Sequence, residues 1–482
     1  MSTLTGTGAA DVAVRPLPPQ APPQPHARFR LIPRLETYPT LVSFCQTVPG
    51  KASLLLVFGV GLALATHLFF LPVLLSLILI TAFPAQRRLL VTFCTLAFAL
   101  ATCWRAGSLP QAIDIALVCA LAGVLFMVAV RLPKSPIGRR PLVCLLAGFM
   151  SALLLASYLP HDSRMQNWFW GFLTVLSGYL AAMGYSLLDR NSKNRDSFAL
   201  QLGTYRPFWG MTVIPYPKGA AYLRRVECKT PETLAVSQLK GVKLLAWSLV
   251  LLLLLKFVVR VVHGSLGIPT FASLFALSAA RSPFPWWLGW AAVVSAFLEK
   301  LLRISIWGHQ IIATCRMAGF LALRNTWRPL ESRSIAEFWN RYIYYFKEML
   351  VDFFFYPTFM RYFKSRPRLR LFAATFVAAC LGNSLLHFFT SYMDSVQSFG
   401  LLQAFVYFRT YLVYSAALAV GIGVSQLRKA KKRDGWIRGR LVPALCVIVF
   451  FCVLHIFDDD MGKYPLGEHF RFLANLLHLR VG

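Results

Sequence analysis

The stretch LLAWSLVLLLLLKFVVRVV, residues 244–262, decides the class of fold, because it is almost wholly apolar over 19 residues. A transmembrane helix needs about 20 mostly apolar residues. The whole chain of 482 residues is 57% hydrophobic and only 14% charged, whereas soluble domains carry roughly 25% charged residues. The sequence therefore predicts an all-α polytopic integral membrane protein, with roughly 10–12 transmembrane or re-entrant helices.

Further apolar runs flank this segment on both sides, each bounded by charges, prolines or tryptophan. On the N-terminal side they are residues 53–83, 89–104, 113–130, 141–160 and 168–188, and on the C-terminal side residues 371–389, 401–426 and 441–457. The first run is long and has Pro72 near its middle, so it fits either one kinked helix or a hairpin of two short helices.

Two other segments are too polar for simple lipid-facing spans. Residues 286–323 carry Glu299, Lys300, Arg303, His309 and Arg316. Such a segment is either two elements with a polar break near Glu299 or one helix with a face that lines a wet cavity. Residues 343–363 are aromatic and include Lys347, Glu348 and Asp352, which favours a re-entrant or interfacial element.

These runs divide the chain into five parts. We expect a cytoplasmic, partly disordered tail (1–50), an N-terminal transmembrane bundle (51–188), a basic cytoplasmic loop (189–243), a C-terminal transmembrane catalytic region (244–457) and a C-terminal tail (458–482). Within the loop, residues 231–241 are predicted to be helical, with Thr230 as the cap. The tail is predicted to hold an interfacial helix over residues 470–479.

The net charge of +31 reflects Lys and Arg in short loops between apolar runs, which is how membrane topology is specified. The pattern favours membrane lipid over nucleic acid as a partner. If residues 53–83 form a hairpin, the basic loops fall on the cytoplasmic side. The ten cysteines include no CxxC pair and no accompanying His cluster, so no metal site and no disulfide framework are predicted.

His387 is the first candidate functional residue, because an imidazole in hydrocarbon costs free energy unless it faces a protein interior or a wet cavity. A neutral imidazole has a suitable pKa to take a proton from a hydroxyl group. An amide side chain can orient a substrate or polarise a carbonyl without adding an unpaired charge. We assign these roles to His387 and Asn340.

The residues around this pair also carry a family resemblance. Phe338-Trp339-Asn340-Arg341, followed 47 positions later by His387 within Gly-Asn-Ser-Leu-Leu-His-Phe (382–388), resembles the membrane-bound O-acyltransferase (MBOAT) family, over a core of residues 308–394. Phe-Trp-Asn-Arg-Tyr (338–342) stands where the branch of bacterial polysaccharide- and teichoic-acid-acylating enzymes has Trp-Arg-Arg-Trp-His. The chain therefore resembles a divergent bacterial-type member that departs from this branch.

The resemblance implies a catalytic His387 and an upstream polar Asn340 in an intramembrane tunnel. It implies transfer of an acetyl or longer acyl group to a hydroxyl of a glycan, glycolipid or lipid, with possible accessory envelope proteins. The donor would be acyl-CoA or another acyl thioester, used as a substrate and not as a bound cofactor. A bacterial inner (cytoplasmic) membrane is the expected location.

Weaker substrate-binding candidates are His309, Trp339, Arg341, Asn383 and Ser384. Structural alternatives stay open for several residues. In these alternatives His387 only bonds a carbonyl or Ser384 in a helix interface, Ser384 bonds back to its own helix, and Asn340 caps a helix that begins at Arg341. Glu299 and Arg303 are four apart and favour a mutual ion pair over binding the phosphates of coenzyme A.

Two other classes of protein fit the same sequence. One is a transporter or flippase for a lipid-linked or glycan substrate, in which the intramembrane polar groups form a binding site. The other is a non-catalytic scaffold of the cell envelope. The aromatic segment beside a histidine favours the enzyme.

Overall fold

The computed structural model describes residues 31–65, 70–160, 163–190, 196–210, 216–428, 435–458 and 464–479. The described residues from Arg34 onward belong to one compact unit. Most of the predicted tail, residues 1–30, lies outside the described residues. Within the rest of this predicted tail a helix begins at Pro39, where the proline occupies the first helical turn, a position that suits its fixed φ.

The first part of the chain forms short and long helices connected by short turns. In chain order these are α1 (Pro39–Gln46), α2 (Val48–Ala65), α3 (Phe70–Ala82), α4 (Arg87–Arg105), α5 (Leu109–Arg131), α6 (Pro136–Arg139), α7 (Pro141–Ser157), α8 (Arg164–Ser177), α9 (Leu180–Asp189), α10 (Phe198–Leu202) and α11 (Ala220–Val226). Short 3₁₀ turns occupy Leu35–Thr37 and Pro84–Gln86.

The second part contains the longest helices. They are α12 (Pro231–Val259), α13 (Phe271–Ala279), α14 (Trp286–Met317), α15 (Ile335–Tyr342), α16 (Tyr344–Leu350), α17 (Tyr356–Arg361), α18 (Pro367–Phe376), α19 (Asn383–Ser391), α20 (Met393–Phe399), α21 (Leu401–Leu427), α22 (Val442–His455) and α23 (Leu466–Leu476). Among the described residues, four π-helical segments extend them, at Arg260–Ser265, Val351–Phe355, Val377–Gly382 and Ile437–Leu441. A 3₁₀ turn spans Pro329–Glu331.

The described residues contain seven helical spans that are long and apolar enough to cross a membrane. They are Val48–Ala65, Pro84–Arg105, Leu109–Arg131, Pro231–Ser265, Pro367–Ser391, Leu401–Leu427 and Ile437–His455. The helices α8 and α9 make an eighth if their 53° bend lies within one span. The protein is thus an all-α, multi-pass membrane protein, as predicted.

The apolar region 53–83 forms a hairpin and not a single kinked helix. Helices α2 and α3 pack side by side, and a Cβ built on Gly59 would lie 2.9 Å from the side chain of Leu74. The absence of a side chain at Gly59 therefore permits close approach of the two helices. Residues 66–69, which connect them, lie outside the described residues.

Helix α12 joins two segments that the sequence separates. It runs without a break from the predicted loop helix at 231–241 into the span at 244–262, so the predicted loop 189–243 is too long at its C-terminal end. Lys243 lies in the middle of this helix and forms an ion pair with Glu36, at 2.6 Å between Nζ and Oε1. Because Glu36 supplies the opposite charge, Lys243 can lie within the helix at the position where the sequence predicts that the loop ends and the span begins.

The predicted cap of α12 is confirmed. The hydroxyl of Thr230 accepts a hydrogen bond from the backbone N–H of Thr233, and the hydroxyl of Thr233 accepts one from the N–H of Thr230, at 3.2 and 3.1 Å. This reciprocal pair satisfies two backbone donors at the start of the helix.

Replacing Thr230 with alanine is expected to destabilise the protein by about 1 kcal/mol, because a helix N–H loses its side-chain partner. The change in thermal or chemical unfolding of the detergent-purified protein measures it. Thr230→Ser keeps the hydroxyl and should stay close to wild type. An equal loss in both variants would show that the methyl group, and not the cap, matters.

Helix α14 is unbroken from Trp286 to Met317, so the alternative of two elements with a break near Glu299 is wrong. The polar side chains are accommodated by pairing. Glu299 binds Arg303 one turn later at 3.2 Å and also contacts His263 at 2.8 Å. The preferred Glu299–Arg303 ion pair is confirmed.

The region predicted as re-entrant or interfacial, 343–363, is helical through α16, the π segment Val351–Phe355 and α17. The C-terminal helix α23 begins four residues earlier than the predicted segment 470–479. Its Phe472 is fully buried against Phe271 and Phe275 of α13, at ring centroid distances of 5.5 and 5.1 Å.

Candidate functional site

The helix that carries His387 follows directly on the π-helical segment Val377–Gly382. A π segment widens the helix locally and is frequent at functional sites. Gly382 ends this segment and lies against the ring of Phe354, since a Cβ there would be 2.6 Å from a ring carbon. Phe354 itself belongs to the π segment Val351–Phe355, so two widened helical segments pack against each other just before α19.

His387 lies between aromatic rings from two other helices. Its ring centroid is 4.6 Å from Tyr411 of α21 and 5.6 Å from Phe346 of α16. The Nδ1 atom is completely buried and has no hydrogen-bond partner among the described residues, although part of the residue's surface is accessible. The predicted alternative, a hydrogen bond from Ser384 that satisfies this atom, is not observed.

Two polar neighbours share this face of α19. Asn383 and Ser384 precede His387 by four and three residues, which places all three on one side of the helix. The Nδ2 of Asn383 donates to the hydroxyl of Ser415 in α21 at 3.2 Å. The Oδ1 of Asn383 and the Oγ of Ser384 are buried and, within the part of the chain that the structure describes, have no hydrogen-bond partner.

The expected back-bond from Ser384 to its own helix is therefore wrong. A buried polar group without a partner costs roughly 1–3 kcal/mol, and buried polar atoms in folded proteins nearly always have partners. Three such atoms within one turn of α19 form a polar cluster that a ligand with hydroxyl or carbonyl groups would satisfy. We refer to Asn383, Ser384 and His387 as the α19 cluster.

An ion pair between Lys300 and Asp458 lies within electrostatic range of His387. Lys300 of α14 forms an ion pair with Asp458 at 2.5 Å, and His455 lies 3.5 Å from the same carboxylate. Both Lys300 and Asp458 act electrostatically on the imidazole of His387. Burial raises the pKa of the Asp458 carboxyl, but Lys300 and His455 outweigh it and hold the pKa below its usual range.

Sequence reasoning missed this ion pair. It placed Asp458 at the start of the C-terminal tail and Lys300 in a separate polar segment. The partners are 158 positions apart, so no local spacing indicates them.

Helix α15 carries three of the predicted residues. Its cap is Ser334, whose hydroxyl accepts from the N–H of Glu337 at 3.1 Å. The alternative in which Asn340 caps a helix starting at Arg341 is therefore wrong, because Asn340 lies inside a helix that begins six residues before Arg341. Asn340 is exposed, so its amide is accessible to a ligand.

The neighbours of Asn340 have different surroundings. Trp339 is buried and meets Phe346 edge to face at 6.4 Å, and Phe346 in turn contacts His387. A row of aromatic rings therefore connects α15 with the α19 cluster. Arg341 pairs with Glu337 at 2.6 Å and lies over the ring of Trp327 at 5.0 Å, which accounts for its position without a ligand.

His309 lies in the C-terminal part of α14, where the residues from Gly308 to Met317 are buried. Its Nδ1 is 2.6 Å from the carbonyl oxygen of Ser305, one turn earlier. The residue is 8% exposed and lies within electrostatic range of Arg316 and Arg324. Its described contacts thus place it beside basic side chains, whereas His387 lies among aromatic ones.

The described residues contain no group of three or more His, Cys, Asp or Glu side chains that could hold a metal ion. The fold and site define an all-α multi-pass membrane protein with a buried polar cluster on one helix of the bundle. The chain matches no known protein-family model and no curated protein.

Proposed function

We propose that the protein is a membrane-bound O-acyltransferase of the MBOAT type. In this proposal an acyl group moves from an acyl thioester such as acyl-CoA to a hydroxyl of a glycan, glycolipid or lipid. His387 acts as the general base and Asn340 orients the substrate. The observation that carries the proposal is the buried, unpartnered Nδ1 of His387 beside two further unpartnered polar atoms.

The chemistry of the transfer fits a histidine in this setting. An alcohol is a poor nucleophile while protonated, so a base that takes its proton accelerates the attack. The alcohol oxygen forms a bond to the thioester carbonyl carbon as its proton passes to the imidazole. The carbon–sulfur bond then breaks, and the imidazole returns the proton to the leaving thiolate.

The α19 cluster supports a role in binding the reacting groups. Asn383 Oδ1 is an acceptor, and the Ser384 hydroxyl can donate or accept. Both are fixed in the helix, so they pay little entropy when they bind a hydroxyl or carbonyl of the substrate. Direct transfer without an acyl-enzyme is favoured, because Ser384 has no hydrogen bond to His387 that would activate it as a nucleophile.

The aromatic lining favours a substrate with an apolar portion. Phe346 and Tyr411 contact the imidazole, and Trp339 contacts Phe346. An acyl chain reaching His387 through an intramembrane tunnel would contact these rings. We further propose an envelope glycan or lipid as acceptor in a bacterial inner membrane, because the sequence resembles a bacterial member of the family.

An acyl-transfer assay tests this function. The protein, purified in nanodiscs, is offered acetyl-CoA and longer acyl-CoAs with labelled acyl groups, together with total lipid and glycan extracts. We expect thioester loss that depends on the extract and a labelled ester in the acceptor fraction. No turnover of any thioester, combined with uptake of a lipid-linked glycan by vesicles containing the protein, would contradict the enzyme and support a transporter.

A further inference from the structure

A group of basic side chains lies where α12, α14 and the segment after α14 meet. It consists of Lys240 of α12, His309 and Arg316 of α14, and Arg324, and we refer to it as the cationic cluster. A terminal nitrogen of Arg316 donates to the backbone carbonyl of Lys240 at 3.5 Å, and Arg324 acts electrostatically on each of the other three. The nearby Lys243 is already paired with Glu36, so Glu36 offsets only part of the positive charge.

The members of the cationic cluster differ in the hydrogen bonds that their side chains make. The guanidinium of Arg316 donates to the carbonyl of Ala322 through Nε and a terminal nitrogen, at 2.9 and 2.7 Å. In contrast, the ammonium of Lys240 and the guanidinium of Arg324 make no hydrogen bond or ion pair to a described residue, although both residues are half-buried. Glu36 acts electrostatically on both cations, but it is already paired with Lys243, so one carboxylate serves three positive charges.

His309 is the second observation that indicates a ligand. The residue is 8% exposed, and its Nδ1 is occupied by the carbonyl of Ser305. Its Nε2 has no hydrogen-bond partner among the described residues. Because the carbonyl of Ser305 accepts the proton on Nδ1, the neutral ring presents Nε2 as an acceptor beside Arg316 and Arg324, where it suits the hydroxyl of a partly protonated phosphate.

The position of Arg324 is fixed by its neighbours. Ala322, two residues before it, is held by Arg316, and the carbonyl of Asn325 accepts from the N–H of Tyr344 at 2.9 Å. The side chain of Asn325 accepts from the N–H of Tyr345 at 3.3 Å. The backbone around Arg324 is therefore ordered before any ligand arrives, which lowers the entropy cost of binding.

We propose that the cationic cluster binds a phosphate group. Like charges in a partly buried, low-dielectric setting repel one another, and a bound anion relieves that repulsion. The guanidinium fork of Arg324 suits two phosphate oxygens, while Lys240 supplies a point charge. The cluster lies just before the apolar part of α12, so the phosphate belongs either to a lipid headgroup or to a soluble phosphorylated molecule. This site stands independently of the proposed acyl transfer.

The test measures phosphate binding by wild type and by variants in nanodiscs. Phosphatidylcholine nanodiscs titrated with inorganic pyrophosphate probe a soluble source, and nanodiscs with added phosphatidylglycerol, followed by native mass spectrometry of retained lipid, probe a headgroup. We expect Arg324→Gln and Lys240→Gln each to weaken binding roughly 10- to 100-fold, as for loss of a charge-assisted hydrogen bond. Arg324→Lys should weaken it less.

The matched control is Arg333→Gln, which removes the same charge from an exposed position outside the cationic cluster. Thermal unfolding in phosphatidylcholine without pyrophosphate confirms that each variant is folded. Selective retention of phosphatidylglycerol identifies a lipid headgroup, and binding of pyrophosphate identifies a soluble ligand. An equal effect of Arg333→Gln, or no binding of either probe by wild type, would overturn the proposal.

Discussion

Replacing His387 with asparagine is expected to lower the rate of acyl transfer by about 10²- to 10⁴-fold, the usual contribution of a general base. The asparagine retains a polar atom near Nδ1 but cannot accept the hydroxyl proton at neutral pH. The loss should appear in kcat, because the proton moves only as the transition state forms. Labelled acyl-CoA with the acceptor found for the wild type measures the rate.

The matched control is His478→Asn, on the exposed end of the chain. His478 has a positive φ of 56°, a conformation that asparagine tolerates well, so this variant should fold and retain full activity. Asn340→Ala should give a smaller loss than His387→Asn, because an orienting residue does not transfer the proton. Full activity of a folded His387→Asn variant would eliminate His387 as the base.

The second large effect is expected at Gly382. A Cβ at this position would lie 2.6 Å from a ring carbon of Phe354, and Phe354 is only 7% exposed, so the ring has little room to move. Gly382→Ala is expected to destabilise the protein by about 1–3 kcal/mol through overpacking. Because Gly382 directly precedes α19, the same substitution should also reduce acyl transfer.

Gly148 provides a control at which the change to alanine is expected to alter stability in the opposite direction. It is exposed in the middle of α7, and a Cβ there would meet nothing within 4 Å. Gly148→Ala is expected to stabilise the protein by up to about 1 kcal/mol, because alanine favours helix over glycine. Unfolding of both variants in the same detergent gives the comparison. A Gly382→Ala variant as stable as Gly148→Ala would show that Phe354 can rotate away.

Several features of the fold follow from local sequence and were predicted correctly. The apolar runs at 89–104, 113–130 and 401–426 became helices with nearly the same bounds. Their lengths and the exclusion of unpaired backbone groups from hydrocarbon leave helix as the only solution. The cap at Thr230 is equally local, since both of its hydrogen bonds join residues three apart.

The polar helices were harder to predict, because their charges are balanced by distant residues. The sequence around Glu299 and Lys300 indicates a possible break, yet α14 runs through both. Glu299 finds His263, and Lys300 finds Asp458. The spacing of residues along α14 predicts the Glu299–Arg303 pair, whose members are four residues apart. It does not predict His263 or Asp458, which lie far away in the sequence.

For the candidate site, the sequence by itself determined that His387, Asn383 and Ser384 share one helical face, because residues three and four apart on a helix are neighbours. Only the tertiary structure decided which of their atoms are left without partners and which rings surround the imidazole. It also decided that Asn340 lies on an exposed part of α15. Those properties depend on how α15, α16, α19 and α21 pack, and packing joins residues whose separation along the chain carries no signal.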